Sequence, residues 1–234
     1  MNQGSGKPKR SSASIKREPV AIQPHSIGGG IALPKTRRGQ ETRKKLLDAA
    51  AVEFGARGFH DASISEITRR AGVALGTFYV YFTSKDEVFR GLVEHMGRLT
   101  RAFLSERIAS APDRLTAERD GLIAFVGFAR EHKDLYRIVM ESQFVAEDAY
   151  RAYYSVFAEA YRHNLERASA RGEVAKGDDE VRAWALIGVS VFLGLRYGVW
   201  DETRTPEEVG EAVWSLIRFG LTPRTPDLSD GEAS

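Results

Sequence analysis

Cysteine is absent from the chain, which excludes disulfides, thiolate metal sites and cysteine nucleophiles and suits a reducing cytoplasm. Long apolar runs are also missing. The longest, residues 183–195, stops at Arg196, short of the roughly 20 residues a spanning helix needs, so no membrane segment is expected. Basic residues near the N-terminus are not followed by an apolar core, and no secretory signal is expected. There is no run of alternating strands and no solenoid repeat. No glycine-rich phosphate loop, nucleophile elbow or zinc motif appears. The five histidines, His25, His60, His95, His132 and His163, include no pair at helical spacing. None has a glutamate three residues before it, as carboxylate-bridged metal bundles require. Neither catalysis nor a cofactor or metal is expected.

What is present is ample core material. Of 234 residues, 42% are hydrophobic, enough for one large or two modest domains. Charge is distributed unevenly. Residues 1–39 carry eight Lys and Arg against the single acid Glu18. That surplus of seven, within a net charge of +2, leaves −5 for the remainder. Clustered basic charge of this kind attracts phosphates, and that attraction weakens as salt rises.

Residues 63–82 read SISEITRRAGVALGTFYVYF, the pattern of a helix-turn-helix. Ser63 is the expected N-cap, with Glu66 three residues on to reach back to its amide. Ile64, Ile67 and Ala71 give the first helix one apolar side. Gly72 ends it, because a residue without Cβ enters the left-handed region unstrained. Val73 fills the angle between the helices. Residues 75–82 form just over two turns, too short to stand without bracing.

Ala71-Gly72-Val73, then Gly76-Thr77-Phe78-Tyr79, the pair Tyr81-Phe82 and Lys85 resemble the signature of the tetracycline-repressor (TetR) family. The resemblance extends back through residues 40–54 and forward to about Met96, and elsewhere it concerns layout only. It implies that Thr77, Tyr79, Tyr81 and Lys85 hold phosphates while Leu75, Gly76 and Val80 face base edges. The chemistry suits those roles: hydroxyls and an ammonium fit phosphate oxygens, and small or apolar groups fit thymine methyls. By spacing alone Lys85 is equally a plain surface lysine. Two positions depart from the family: Ala74 replaces a common serine cap, and Tyr81 a common histidine.

In chain order, residues 1–38 read as a disordered basic arm. Within it, Arg37 and Arg38 stand just before the first helix, placed to touch the DNA backbone or minor groove. Residues 39–99 form the DNA-binding domain. In it Leu46, Leu47, Ala50, Ala51 and Phe54 mark a helix ending near residues 55–58, Phe59 completes a three-helix core, and His60 lies on the surface. Ser84 and Glu87 start a fourth helix that leads out of the module.

Residues 100–221 predict a helical bundle with breaks near Pro112, Lys133, Glu147, Gly172 and residues 201–206, leaving five or so helices. Residues 222–234 are a tail. Candidates to line a small-molecule cavity are Phe125, Phe128, Tyr136, Met140, Phe144, Tyr153, Tyr154, Phe157, Trp184 and Phe192, each of which taken singly reads first as plain core. Arg196, His163 and Glu141 are the candidate polar anchors. Residues 181–199 are apolar nearly all round and need cover on every side. Thr205-Pro206-Glu207-Glu208 starts a last helix that stops at Gly220. These two closing helices either form a four-helix dimer interface, as the family layout implies, or complete the monomer's core.

The expectation is therefore an all-α protein: a ligand-responsive regulator, in such families most often a repressor. It would bind a palindromic double-stranded operator as a homodimer and be released by a small hydrophobic effector such as an acyl thioester or an aromatic compound. An architectural protein that coats DNA without an effector, or a helical-bundle enzyme, are the alternatives.

Overall fold

The computed structural model of the protein describes residues 34–221. The expectations for residues 1–33 and 222–234 lie outside the described residues. Among the described residues there is no strand, and the all-α reading stands.

Helix α1 spans Arg37–Asp61, capped by the Thr36 hydroxyl, which accepts from the Gly39 N–H at 3.1 Å. It already includes Arg37 and Arg38, which form its first turn rather than an arm ahead of it. Near its end the chain kinks at Gly58, whose φ of 74° is open to a residue without Cβ. Helix α2, Ile64–Ala71, starts on Ser63, whose hydroxyl accepts from the Glu66 N–H. The Glu66 carboxylate turns to Arg69 at 2.7 Å. Gly72, at φ 67°, ends α2 with N–H groups of the turn returning to Arg69 and Thr68. Helix α3 is Leu75–Tyr81, and Ala74 supplies it with no side-chain cap.

Helix α4, Lys85–Ile108, opens on Ser84 and joins the two halves of the protein. Its first turns complete a core in which Leu46, Phe54, Ile67, Phe78, Val88 and Phe89 are fully buried. Phe89 stands edge-on to Phe54 and Phe59 at 5.0 and 5.1 Å, an arrangement the ring quadrupoles favour.

The bundle adds α5 (Arg114–Glu131), α6 (Lys133–Val145), α7 (Glu147–Ala170), α8 (Asp179–Gly194) with a π-helical extension Leu195–Trp200, and α9 (Pro206–Phe219). The expected Thr205 capping box forms, with bonds of 3.2 and 2.8 Å. Helix α5 lies against α8, its extension and α9. At Gly194 an added Cβ would meet the Phe125 ring at 2.6 Å, so only glycine permits that approach.

The stretch Asp179–Trp200 is long and apolar enough to cross a membrane by length and composition. A bundle helix passes the same test, which the longer window meets by tolerating Arg196, so the expectation of no membrane segment is not overturned. The stretch is not, however, covered on every side. Ala183, Ile187 and Gly194 face inward, while Val181, Phe192 and Trp200 are 62%, 70% and 68% exposed.

Candidate nucleic-acid interface and bundle cavity

Helix α3 buries only Phe78 among its own residues. Leu75, Gly76, Tyr79 and Val80 are exposed at positions i, i+1, i+4 and i+5, which share one face of a helix. Gly76 opens onto empty space, so a nucleic-acid backbone or base edge can approach the main chain there. Thr77 is half-buried, and Tyr81 is half-buried against the module core.

Lys85 occupies a place the sequence did not foreshadow. Its ammonium donates to the carbonyls of His60 and Ala62 at 2.9 and 3.0 Å and lies 4.7 Å over the Phe59 ring. It thus ties the start of α4 to the end of α1, and of its three donors one is left for another acceptor. Arg37 is almost fully exposed and pairs with Glu41 at 3.0 Å, and Arg38 is exposed beside it. Behind the motif, Glu53 is 1% exposed and faces Arg57 and Arg70 at 3.3 and 3.8 Å, linking α1 to α2. Sequence reasoning passed over Glu53. The signal was an acid seven residues after Leu46 on the apolar stripe, where a charge is kept only if paired.

The bundle encloses a cavity of about 1200 Å³ between α4, α5, α6, α7 and α8. Of the candidate lining residues, Phe125, Phe128, Tyr136, Met140, Tyr153, Tyr154 and Phe157 border it. Phe144, Trp184 and Phe192 do not; they are 86%, 45% and 70% exposed. Phe144 continues the stripe of Tyr136 and Met140, but one turn too far, where α6 has passed the end of the cavity. On α8 the inward stripe carries Ile187, Ser190 and Val191, which leaves Trp184 and Phe192 on the outer one.

The three expected anchors are also elsewhere. Arg196 pairs with Asp201, His163 faces Glu166 at 3.7 Å, and Glu141 accepts the Phe59 N–H at 2.8 Å. The polar groups that do line the cavity include Arg101, Arg114, Arg167 and Arg171, none of them singled out from the sequence. Arg114 Nε meets the buried Glu118 carboxylate at 2.7 Å, and the Tyr161 hydroxyl bonds to the same acid. The Tyr136 hydroxyl donates to the Val191 carbonyl, and those of Tyr153 and Thr100 are bonded together. Burial pushes the Tyr153 and Tyr154 hydroxyls above the ordinary phenol value, so both stay protonated at neutral pH.

Two helices belong to cavity and DNA module alike. Helix α4 lines the cavity with Met96, Thr100 and Leu104 and packs Phe89 and Leu92 into the module core. Helix α6 lines it with Leu135, Tyr136, Val139 and Met140. On its other side it grips the end of α1: Arg137 donates to the Gly55 carbonyl at 3.2 Å, and Glu141 holds the Phe59 N–H beside the Gly58 kink.

A sequence profile described as "Bacterial regulatory proteins, tetR family" matches residues 46–92. An HTH-type transcriptional regulator of Bacillus subtilis, YdgC, is 31% identical over 199 residues, covering 82% of this chain and 98% of its own. The HTH-type transcriptional activator FasR of Mycolicibacterium smegmatis is 31% identical over 192 residues, covering 81% of this chain and 84% of its own. Among solved structures, Bacillus subtilis FadR in complex with stearoyl-CoA superposes with a TM-score of 0.67 at 19% identity, over 76% of this chain and 99% of that one. These relatives are named as transcriptional regulators, not enzymes.

Proposed function

Because the chain belongs to the tetR family of bacterial transcriptional regulators, which bind DNA through a helix-turn-helix, we propose that it is a ligand-responsive repressor acting in the cytoplasm. In this reading it binds a palindromic operator as a homodimer and lets go when a small hydrophobic effector, an acyl thioester or an aromatic compound, fills the bundle cavity. The observation that carries the reading is the double duty of α4 and α6. A ligand that spreads their cavity faces must shift α1 and the module packed on it, and interiors packed this densely transmit such strain.

On the operator, Leu75, Gly76 and Val80 meet base edges, and Thr77, Tyr79 and Tyr81 meet phosphates. Ser63, Arg37 and Arg38 flank them, and the free donor of Lys85 supplies one more phosphate contact. The exposed Val181, Trp184, Phe192 and Trp200 on α8 and its extension, with Leu216 and Phe219 on α9, form an apolar surface of the kind that marks an interface. Paired about a twofold axis, they make a four-helix contact that sets two copies of α3 roughly 34 Å apart, one turn of B-DNA. Small changes in that spacing uncouple the second half-site from the first. The name of FadR, a complex with stearoyl-CoA, supports an acyl thioester as effector class. FasR, by contrast, is named an activator.

The test is operator binding by the full chain, followed by electrophoretic shift at fixed salt, with and without acyl-CoA thioesters and aromatic acids. Release by at least one of these compounds is expected. Binding to a palindrome that no compound alters contradicts the effector half of the reading, and equal affinity for all duplexes contradicts the operator half.

A further inference from the structure

The four arginines lining the cavity are Arg101, Arg114, Arg167 and Arg171, and they are not equivalent. Arg114 is neutralised by Glu118 and Arg171 by Glu173. Arg167 is exposed and bonded to Asn164. Arg101 is half-buried, lies 5.3 Å over the Phe157 ring, and is joined to no carboxylate among the described residues. The acid that bears on it electrostatically, Glu94, is taken by Arg98. Its room comes from the buried Gly97, where a Cβ would stand 2.9 Å from Arg101 Nη1 and 3.1 Å from the Tyr153 ring. The fold thus keeps an uncompensated guanidinium at the wall of an apolar cavity. Its ring contact offsets only part of the cost of desolvation.

Depth gives this cation its meaning. Lining residues at the far ends of α4 and α7, such as Ser105, Ala109, Arg167 and Arg171, are exposed, whereas Met96, Thr100 and Val139 are buried. The cavity therefore opens away from the DNA module. Phe157, under Arg101, and Arg167 are ten residues apart on α7, about 15 Å at the rise of an α-helix. A coenzyme A moiety held at the mouth keeps its phosphates about that distance from Arg101, and a thioester carbonyl that reaches the guanidinium brings no charge to it. A carboxylate on an apolar body both reaches it and brings charge.

We propose that Arg101 is the anion anchor of the cavity and that the effector is an apolar carboxylate, bound acid end inward. This rests on the reading of the cavity as an effector site and narrows it from acyl thioesters to free acids. The carboxylate meets the guanidinium in a charge-assisted pair, the Tyr153 and Thr100 hydroxyls lie close by, and the apolar body runs back past Phe125, Phe128 and Leu104.

The experiment measures dissociation constants of decanoate, palmitate and naphthylacetate, of their methyl esters, and of decanoyl- and palmitoyl-coenzyme A. It uses the full chain and the variants Arg101→Gln and Arg101→Lys, with thermal unfolding as a check on folding. Wild type is expected to prefer at least one acid over its ester by roughly tenfold to a hundredfold, the range of a buried charge-assisted pair. Arg101→Gln erases that preference while leaving ester affinity unchanged, and Arg101→Lys restores part of it. Equal binding of acid and ester by wild type overturns the anchor but leaves the effector reading intact. So does thioester binding that exceeds acid binding and is indifferent to Arg101. Failure of every compound to bind wild type overturns both. Should Arg101→Gln not fold, the acid-to-ester ratio of wild type and Arg101→Lys decides.

Discussion

The DNA-binding module and the bundle behind it solve the packing problem in opposite ways. In the module, Phe54, Phe78, Phe89, Leu46 and Ile67 lose all or nearly all contact with solvent, and short helices are braced by aromatic rings. The larger bundle has, among the described residues, a smaller second core built on Leu122, Val126, Val209 and Val213, set beside a cavity of about 1200 Å³. A filled core holds one geometry, as a DNA-binding helix-turn-helix requires. A hollow one forgoes packing energy and so leaves room for a ligand to supply it. On the proposed function, rigidity and responsiveness are assigned to different stretches of one chain, with α4 and α6 shared between them.

The contrast can be broken most directly by truncating one ring on each side. Phe89→Ala removes a fully buried ring from the filled core and is expected to cost about 3–5 kcal/mol. Phe125→Ala, whose ring already borders empty space, should cost about 1–2 kcal/mol because fewer contacts are lost. Urea unfolding followed by circular dichroism checks both, and equal costs would mean that the bundle is not hollow in solution.

The joint between the halves is sharpened by Gly58→Ala. The new side chain must adopt φ 74° and sits 3.1 Å from the Glu141 carboxylate, a strain of about 1–3 kcal/mol. A lower melting temperature and weakened operator binding are expected. No change in either would show that the α1–α6 contact does not hold the kink.

The smallest effect concerns pH. Burial, and then the charge of Arg98, hold the half-buried His95 imidazole of α4 below its ordinary value of 6.5, with Arg43 and Lys44 acting the same way and Asp48 against them. Folding therefore favours the neutral ring. Its stability contribution is whole above pH 6.5 and is lost as pH falls through the lower, folded-state value. A melting temperature that declines on acidification, less so in His95→Gln, is the expected outcome of scanning calorimetry across that window.

Much of this was legible in the sequence because its signals are local. Ser63, Ser84 and Thr205 each cap the helix that follows, and Gly72 turns left-handed where the motif needs it, all within a few residues of their partners. The inward aromatics of α5, α6 and α7 were legible for the same reason, since periodicity places them on one stripe. Which stripe of α8 faces inward depends on neighbours far away in sequence, and Trp184 and Phe192 were misplaced for want of them. Lys85 bonds to carbonyls 25 and 23 residues back, and no spacing rule reaches that far. The cavity arginines were missed because a charge on a helix ordinarily reads as solvated, and only the three-dimensional arrangement shows that the half-buried Arg101 borders the cavity.

The central claim is that α3 reads a twofold DNA site from a dimer. It is tested by selecting duplexes from a random pool with the full chain and measuring fluorescence anisotropy of the best sequence at fixed salt, for wild type and for Thr77→Ala/Tyr79→Ala. The account expects a palindrome with half-sites about one helical turn apart, bound by a dimer and lost by at least tenfold in the still-folded double variant. A selected site without twofold symmetry, or a double variant that binds as wild type does, would contradict it.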